Sequence, residues 1–170
     1  PVNSDALVNR VLKRFGFAAD AQIRIQSSSD DHSQLPIDTP LSVRHVLAQM
    51  LELQTVAARR DVATLVRYTE CPHSKPALEA LADEDYKSKV QQKRLSVLDL
   101  LEEFEACDLP FGVFLELMPM LTPRYYSISS SSMVEQSSCS ATVGVVDEAA
   151  ISGRGQFKGV CSNYLAERAA

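Results

Sequence analysis

Two short stretches of the chain carry residue types that could do chemistry together. Arg124-Tyr125-Tyr126-Ser127 sets a cation, two aromatic rings and a hydroxyl on four consecutive residues. An arginine fork grips phosphate oxygens with paired donors. A tyrosine ring can lie against a flat heterocycle, and a serine hydroxyl can donate to a ring nitrogen. Further on, Gly159-Val160-Cys161-Ser162, followed by Asn163-Tyr164-Leu165, reads as the glycine-led opening of a helix. A helix N-terminus offers unpaired N–H groups and the positive end of its dipole to a phosphate.

The elements that must position these stretches follow from periodicity. Ahead of them, Ser4 or Asn3 can cap a helix whose stripe is Leu7, Val8, Val11, Leu12 and Phe15, stopped by Gly16. Gln22 to Gln26 alternates polar and apolar residues and predicts a short strand. Residues 27–34 read as a Ser- and Asp-rich loop, and Pro36 and Pro40 make the following stretch an extended lead-in. From Ser42 to Met118 the pattern is helical throughout. Six short helices are expected: from Ser42 through Met50, near Arg59 to Tyr68, from a Ser74 cap, near Glu84 to Gln92, from a Ser96 cap to Phe104, and from Pro110 to Met118. After Pro123 the strand pattern returns, with strands expected at Arg124–Ser130 and Ser140–Val146. A turn at Ser152–Gly155 and the Gly159 helix complete the order.

Composition bounds the function classes. The chain has 170 residues, 45% hydrophobic and 23% charged, which suits a globular domain or a piece of a larger one. A net charge of −5 argues against nucleic acid as the main partner. No apolar run approaches the ~20 residues that span a bilayer, and the N-terminus lacks signal-peptide character. Cys71, Cys107, Cys139 and Cys161 lie far apart without a Cys-x-x-Cys pair, so reduced thiols in the cytoplasm are expected. His32, His45 and His73 are scattered, which argues against a metal site. There is no Gly-x-Gly-x-x-Gly or Gly-Lys-Ser/Thr loop.

Arg124-x-Tyr126-Ser127 resembles the Arg-x-Tyr-Ser motif of ferredoxin-reductase-like flavoproteins, and Gly159-x-x-Ser162 resembles their second FAD motif. The order and spacing of the two carry the likeness. Strand elements interrupted by some 80 residues of helix resemble, more narrowly, the NADPH–cytochrome P-450 reductase (diflavin reductase) branch. Leu7 to Gly16 looks like that branch's helix leading out of the early barrel, and Cys71-Pro72-His73 and Lys93 to Leu101 look most like the reductase half of self-sufficient P-450 monooxygenases. The resemblance covers nearly the whole chain.

It implies an α+β, mostly α fold, in which an all-helical connecting domain is inserted into part of a ferredoxin-reductase-like FAD-binding β-barrel. Residues 1–34 would be a barrel-linked helix and strand, 35–119 the connecting domain, and 120–170 the barrel strands with the Gly-x-x-Ser helix. The barrel start would precede Pro1 and the NADPH domain would follow Ala170. The implied activity is NADPH–hemoprotein reduction, with electrons passing from NADPH through FAD and FMN to a P-450 haem in the same chain. By the same resemblance Arg124 would contact the FAD pyrophosphate, with Tyr125 beside it. Tyr126 would stack on the isoalloxazine. Ser127, the catalytic candidate, would hydrogen-bond near flavin N5. Thr142 and Gly144 would line the FAD, and Gly159, Val160, Cys161 and Ser162 would wrap the pyrophosphate and flavin. The family's Cys and Asp for hydride transfer would lie downstream, and without the barrel start and the NADPH domain the segment alone is expected to hold FAD weakly and not to reduce it. A homodimer stays open.

Plainer readings stand beside these. Arg124 to Ser127 could be an ordinary half-buried strand, Ser129–Ser132 a solvated turn, and Cys161 a packing residue. Glu102, Glu103, Glu105 and Asp108 read as a solvated face or, alternatively, as a docking patch for a basic partner. The competing function is a non-catalytic helical spacer or interaction domain with an incomplete flavin site.

Overall fold

The structure, a computed structural model, describes residues 2–26, 35–36 and 38–168. The loop expected at 27–34, with His32, lies outside these residues, as does Ile37. The order is α1 (Asp5–Phe15), β1 (Gln22–Arg24), β2 (Pro40–Ser42), α2 (Val43–His45), α3 (Arg59–Arg67), α4 (Ser74–Ala82), α5 (Val97–Glu103) and α6 (Phe111–Leu117). Then come β3 (Asp147–Ala149), β4 (Gln156–Lys158) and α7 (Val160–Arg168). The fold is mixed and mostly helical, with two small antiparallel sheets and no closed barrel among the described residues.

The helices start and stop close to where the sequence places them. Ser4 caps α1 by accepting from the Leu7 N–H, and Gly16 closes it at φ 70°, a left-handed value that suits glycine. Ser96 and Asp99 form a reciprocal box at α5: Asp99 N–H donates to Ser96 Oγ (3.1 Å) and Ser96 N–H donates to Asp99 Oδ2 (2.9 Å). Ser74, expected as a cap, is instead the first residue of α4. Its hydroxyl bonds Cys71 and, with backbone N–H groups of Ser74 and His73, lowers that thiol's pKa.

Two of the six expected helices also wind differently. The α2 helix passes into a π-helical turn at Val46–Met50, and the polar helix is a π-helix at Tyr86–Gln91. Asn3 closes the end of the first turn. Asn3 Nδ2 donates to the carbonyls of Leu47 (2.8 Å) and Leu51 (2.7 Å), and Asn3 N–H donates to Ala48 O (2.8 Å). Carbonyls of a last turn lack intrahelical partners, so Asn3 satisfies the open end of this helix.

The core sits in the helical region, in the helices and the short segments that join them. Every buried hydrophobic residue described lies between Val8 and Met118, with Phe114, Leu47, Leu51, Leu53 and Leu65 among the largest. Four phenylalanines lock α1 to α6: Phe114 meets Phe15 at 5.0 Å and Phe111 at 6.1 Å, and Phe111 meets Phe17 at 4.7 Å. Across α1 and α5, Arg10 bonds Glu102 through Nε (3.0 Å) and Nη2 (2.7 Å), and Asp99 through Nη2 (2.7 Å). Glu102 first, then Asp99, raise the Arg10 pKa, so the guanidinium stays charged at any working pH. Of the acidic cluster, Glu102 is thus tied to Arg10, while Glu103, Glu105 and Asp108 are exposed and Glu103 accepts from Arg154 at 3.1 Å.

Two strand expectations are corrected. Residues 124–130 form no strand and make only one bridge, Ile128 with Ala141, and Ser140–Val146 contributes only that same bridge. A strand is held by its neighbour's ladder, and among the described residues no second strand lies alongside Arg124 to Ser127. Regular pairing begins later, where Asp147, Glu148 and Ala149 face Lys158, Phe157 and Gln156. The turn between them falls at Ser152–Gly155 as expected, with Gly153 and Gly155 at φ 75° and 79°.

Candidate flavin site

The Gly159 turn is the tightest feature of the site. Gly159 N–H donates to Val146 O at 2.9 Å, and a Cβ on Gly159 would stand 2.6 Å from Ser162 Oγ and 3.2 Å from Val146 Cβ. The missing side chain of Gly159 leaves the room that the Ser162 hydroxyl and the Val146 side chain occupy. Ser162 Oγ accepts from Val146 N–H (3.2 Å) and donates to Gly159 O (3.2 Å). Asn163 Nδ2 donates to Val146 O (2.8 Å) and Gly159 O (2.9 Å). The Ser162 hydroxyl is thus consumed within the turn, so any contact with a ligand falls to the first-turn N–H groups of α7. Val160 and Cys161 are half-buried in that turn, and Cys161 is a free thiol, as are the other three cysteines.

The Arg124 stretch is presented differently. Tyr125 is 96% exposed and Tyr126 41%, so neither ring is packed away by protein. Ser127, Thr142 and Gly144 are exposed, and a Cβ at Gly144 would meet nothing within 4 Å. Arg124 is oriented by its neighbours: Nη1 donates to Thr122 O (2.8 Å) and Thr122 Oγ1, and Nη2 to Glu52 Oε2 (3.1 Å). One carboxylate in an exposed pair screens the guanidinium only in part.

Residues that the sequence did not single out hold the two motifs. Glu52 engages Arg124, while Gln54 clamps the strand that leads into Gly159. Gln54 Nε2 donates to Lys158 O (2.8 Å) and Lys158 N–H donates to Gln54 Oε1 (3.3 Å). These pairs are 72 and 104 residues apart, so no local pattern could have shown them. Beside them, a cavity of about 230 Å³ opens between the helices and the β3–β4 hairpin, lined by Arg10, Gln54, Arg94, Arg154 and Phe157 among others. Arg94 stands there at φ 51°, an uncommon value for a residue with a Cβ.

The donor set fits a dinucleotide cofactor of the flavin kind. A guanidinium and a helix N-terminus suit a pyrophosphate, and uncovered tyrosine rings suit a flat ring system. No group of three His, Cys, Asp or Glu suited to a metal occurs among the described residues.

Comparison with known proteins settles the family. Residues 1–164 match the FAD binding domain family. The chain belongs to that family. It is 47% identical over 169 residues to a bifunctional cytochrome P-450/NADPH–P-450 reductase of Bacillus cereus, covering 99% of this chain and 16% of that protein. A second such reductase, from Bacillus subtilis, is 48% identical over 169 residues, covering 98% and 16%. A self-sufficient cytochrome P-450 monooxygenase of Exserohilum turcicum is 39% identical over 165 residues, covering 97% and 15%. The chain therefore spans about one sixth of the length of these relatives. No helix of the described residues is long and apolar enough to cross a membrane.

Proposed function

We propose that this chain is the FAD-binding segment of an NADPH-dependent diflavin reductase fused in one polypeptide to a cytochrome P-450 haem domain. The helices would be a connecting domain set into a flavin-binding barrel, with FMN and haem domains and an NADPH domain as partners in the same chain. The four free thiols suit a reducing compartment, so the proposed location is the cytoplasm.

The observation that carries the reading is the pairing of an oriented, exposed Arg124 and bare tyrosine rings with the glycine-tight N-terminus of α7. Bound there, FAD would supply hydride acceptance from NADPH and single-electron release toward FMN and haem. The residues of this chain bind and orient it. Arg124 neutralises pyrophosphate charge, with Tyr125 beside it, and Tyr126 packs against the isoalloxazine. Thr142 and Gly144 leave room along its edge, and Gly159, Val160, Cys161 and Ser162 shape the phosphate turn. Ser127 would offer its hydroxyl to the flavin ring nitrogen at which hydride is accepted.

Ser127 offers the test. In the full-length protein, Ser127→Ala is expected to keep FAD while slowing flavin reduction by NADPH about a hundredfold, the usual scale for losing one positioned donor at a reacting atom. Stopped-flow absorbance reads this directly, and an unchanged rate would remove Ser127 from the mechanism.

A further inference from the structure

We infer that Glu52-Leu53-Gln54 is a brace that sets the position of the Arg124 stretch relative to the Gly159 turn, making Glu52 and Gln54 positioning residues for the cofactor. The inference rests on the FAD reading above and adds to it two residues that touch no ligand themselves. Its basis is a single tripeptide with an arm to each motif. Glu52 Oε2 holds Arg124 Nη2 at 3.1 Å. One residue on, the Leu53 side chain is buried in the helical core at 1% exposure. The next residue, Gln54, makes the two-way amide clamp on the backbone of Lys158, the residue just before Gly159.

The tripeptide cannot drift, because its surroundings pin it. Glu52 N–H donates to Pro119 O (2.8 Å), Leu121 N–H donates to Met50 O (2.8 Å), and Leu51 bridges Met120. On the other side Val56 bridges Ser96, and Ala57 N–H donates to Leu95 O (2.9 Å). The stretches on either side of β3 and β4 bury almost nothing of their own, with Ser162 the one buried residue described after Met118. Their placement on the helical body must therefore come from specific polar contacts, among them Arg124 with Glu52, Gln54 with Lys158 and Arg154 with Glu103. A cofactor that spans both motifs needs their separation fixed in advance, since ordering them on binding would cost affinity.

The test titrates FAD into the flavin-stripped full-length protein and follows quenching of its fluorescence. Glu52→Gln and Gln54→Leu are each expected to raise the Kd about tenfold, the scale of one hydrogen-bonded contact. Both should leave the thermal midpoint of the flavin-free protein close to wild type and change the visible circular dichroism of bound flavin. Because loss of either arm frees the same spacing, the double variant should fall well short of the hundredfold product. Gln54→Glu, which keeps the acceptor for Lys158 N–H and loses the donor, should show a smaller loss than Gln54→Leu. Unchanged Kd values in the single variants would overturn the brace, and so would a full hundredfold effect in the double, which would mean two independent contacts. Wild-type protein that fails to bind FAD would overturn the flavin reading itself, a result distinct from either.

Discussion

Arg124→Ala is expected to weaken FAD binding by about a hundredfold in the full-length protein, because a charge-assisted contact to pyrophosphate is worth ~3 kcal/mol. The substitution also leaves Glu52 with its carboxylate facing the site, its partner at 3.1 Å gone. An unpaired negative charge beside a pyrophosphate adds repulsion to the lost attraction. Arg124→Lys should recover only part of the affinity, since an ammonium cannot reach Thr122 and Glu52 in one plane while presenting further donors. Equilibrium dialysis or fluorescence titration reads the effect. Stoichiometric flavin in Arg124→Ala at submicromolar protein would remove this residue from the site.

Phe114→Ala should cost about 3–5 kcal/mol of stability, the range for truncating a buried aromatic residue. Phe114 is fully buried and its ring joins Phe15 of α1 to Phe111 of its own helix. Truncation leaves a cavity at the seam that holds α1 against α6, while Phe15 with Phe111 and Phe17 with Phe111 remain as ring contacts. Since a domain's whole stability is about 5–15 kcal/mol, the variant should sit near its unfolding threshold. Urea unfolding of the chain, followed by far-ultraviolet circular dichroism, gives the number. A loss under about 1 kcal/mol would show that the aromatic seam is not central to the core.

Local physics made most helices legible. Apolar residues at three- and four-residue spacing, with Ser4, Ser42 and Ser96 as caps and Gly16 as a stop, depend on neighbours within one turn. The π-helical turn at Val46–Met50 was not legible in the apolar spacing, and neither was the closing of its end by Asn3, more than 40 residues away. The stretch from Arg124 to Ser130 has strand-forming residues, but pairing is a property of two segments, and only Ile128 finds a partner. The chemistry-bearing residues themselves could be read from type and order. What holds them, Glu52 and Gln54, could not, because an isolated glutamate and glutamine carry no pattern until the fold brings Arg124 and Lys158 to them.

The central claim is that this chain holds FAD within an NADPH-driven reductase, and the visible absorption spectrum of the full-length protein tests it most directly. Oxidised flavin bands that bleach on anaerobic addition of NADPH are the expected result. A colourless protein that takes up no added FAD would contradict the account and leave the helices as a spacer carrying an inherited motif.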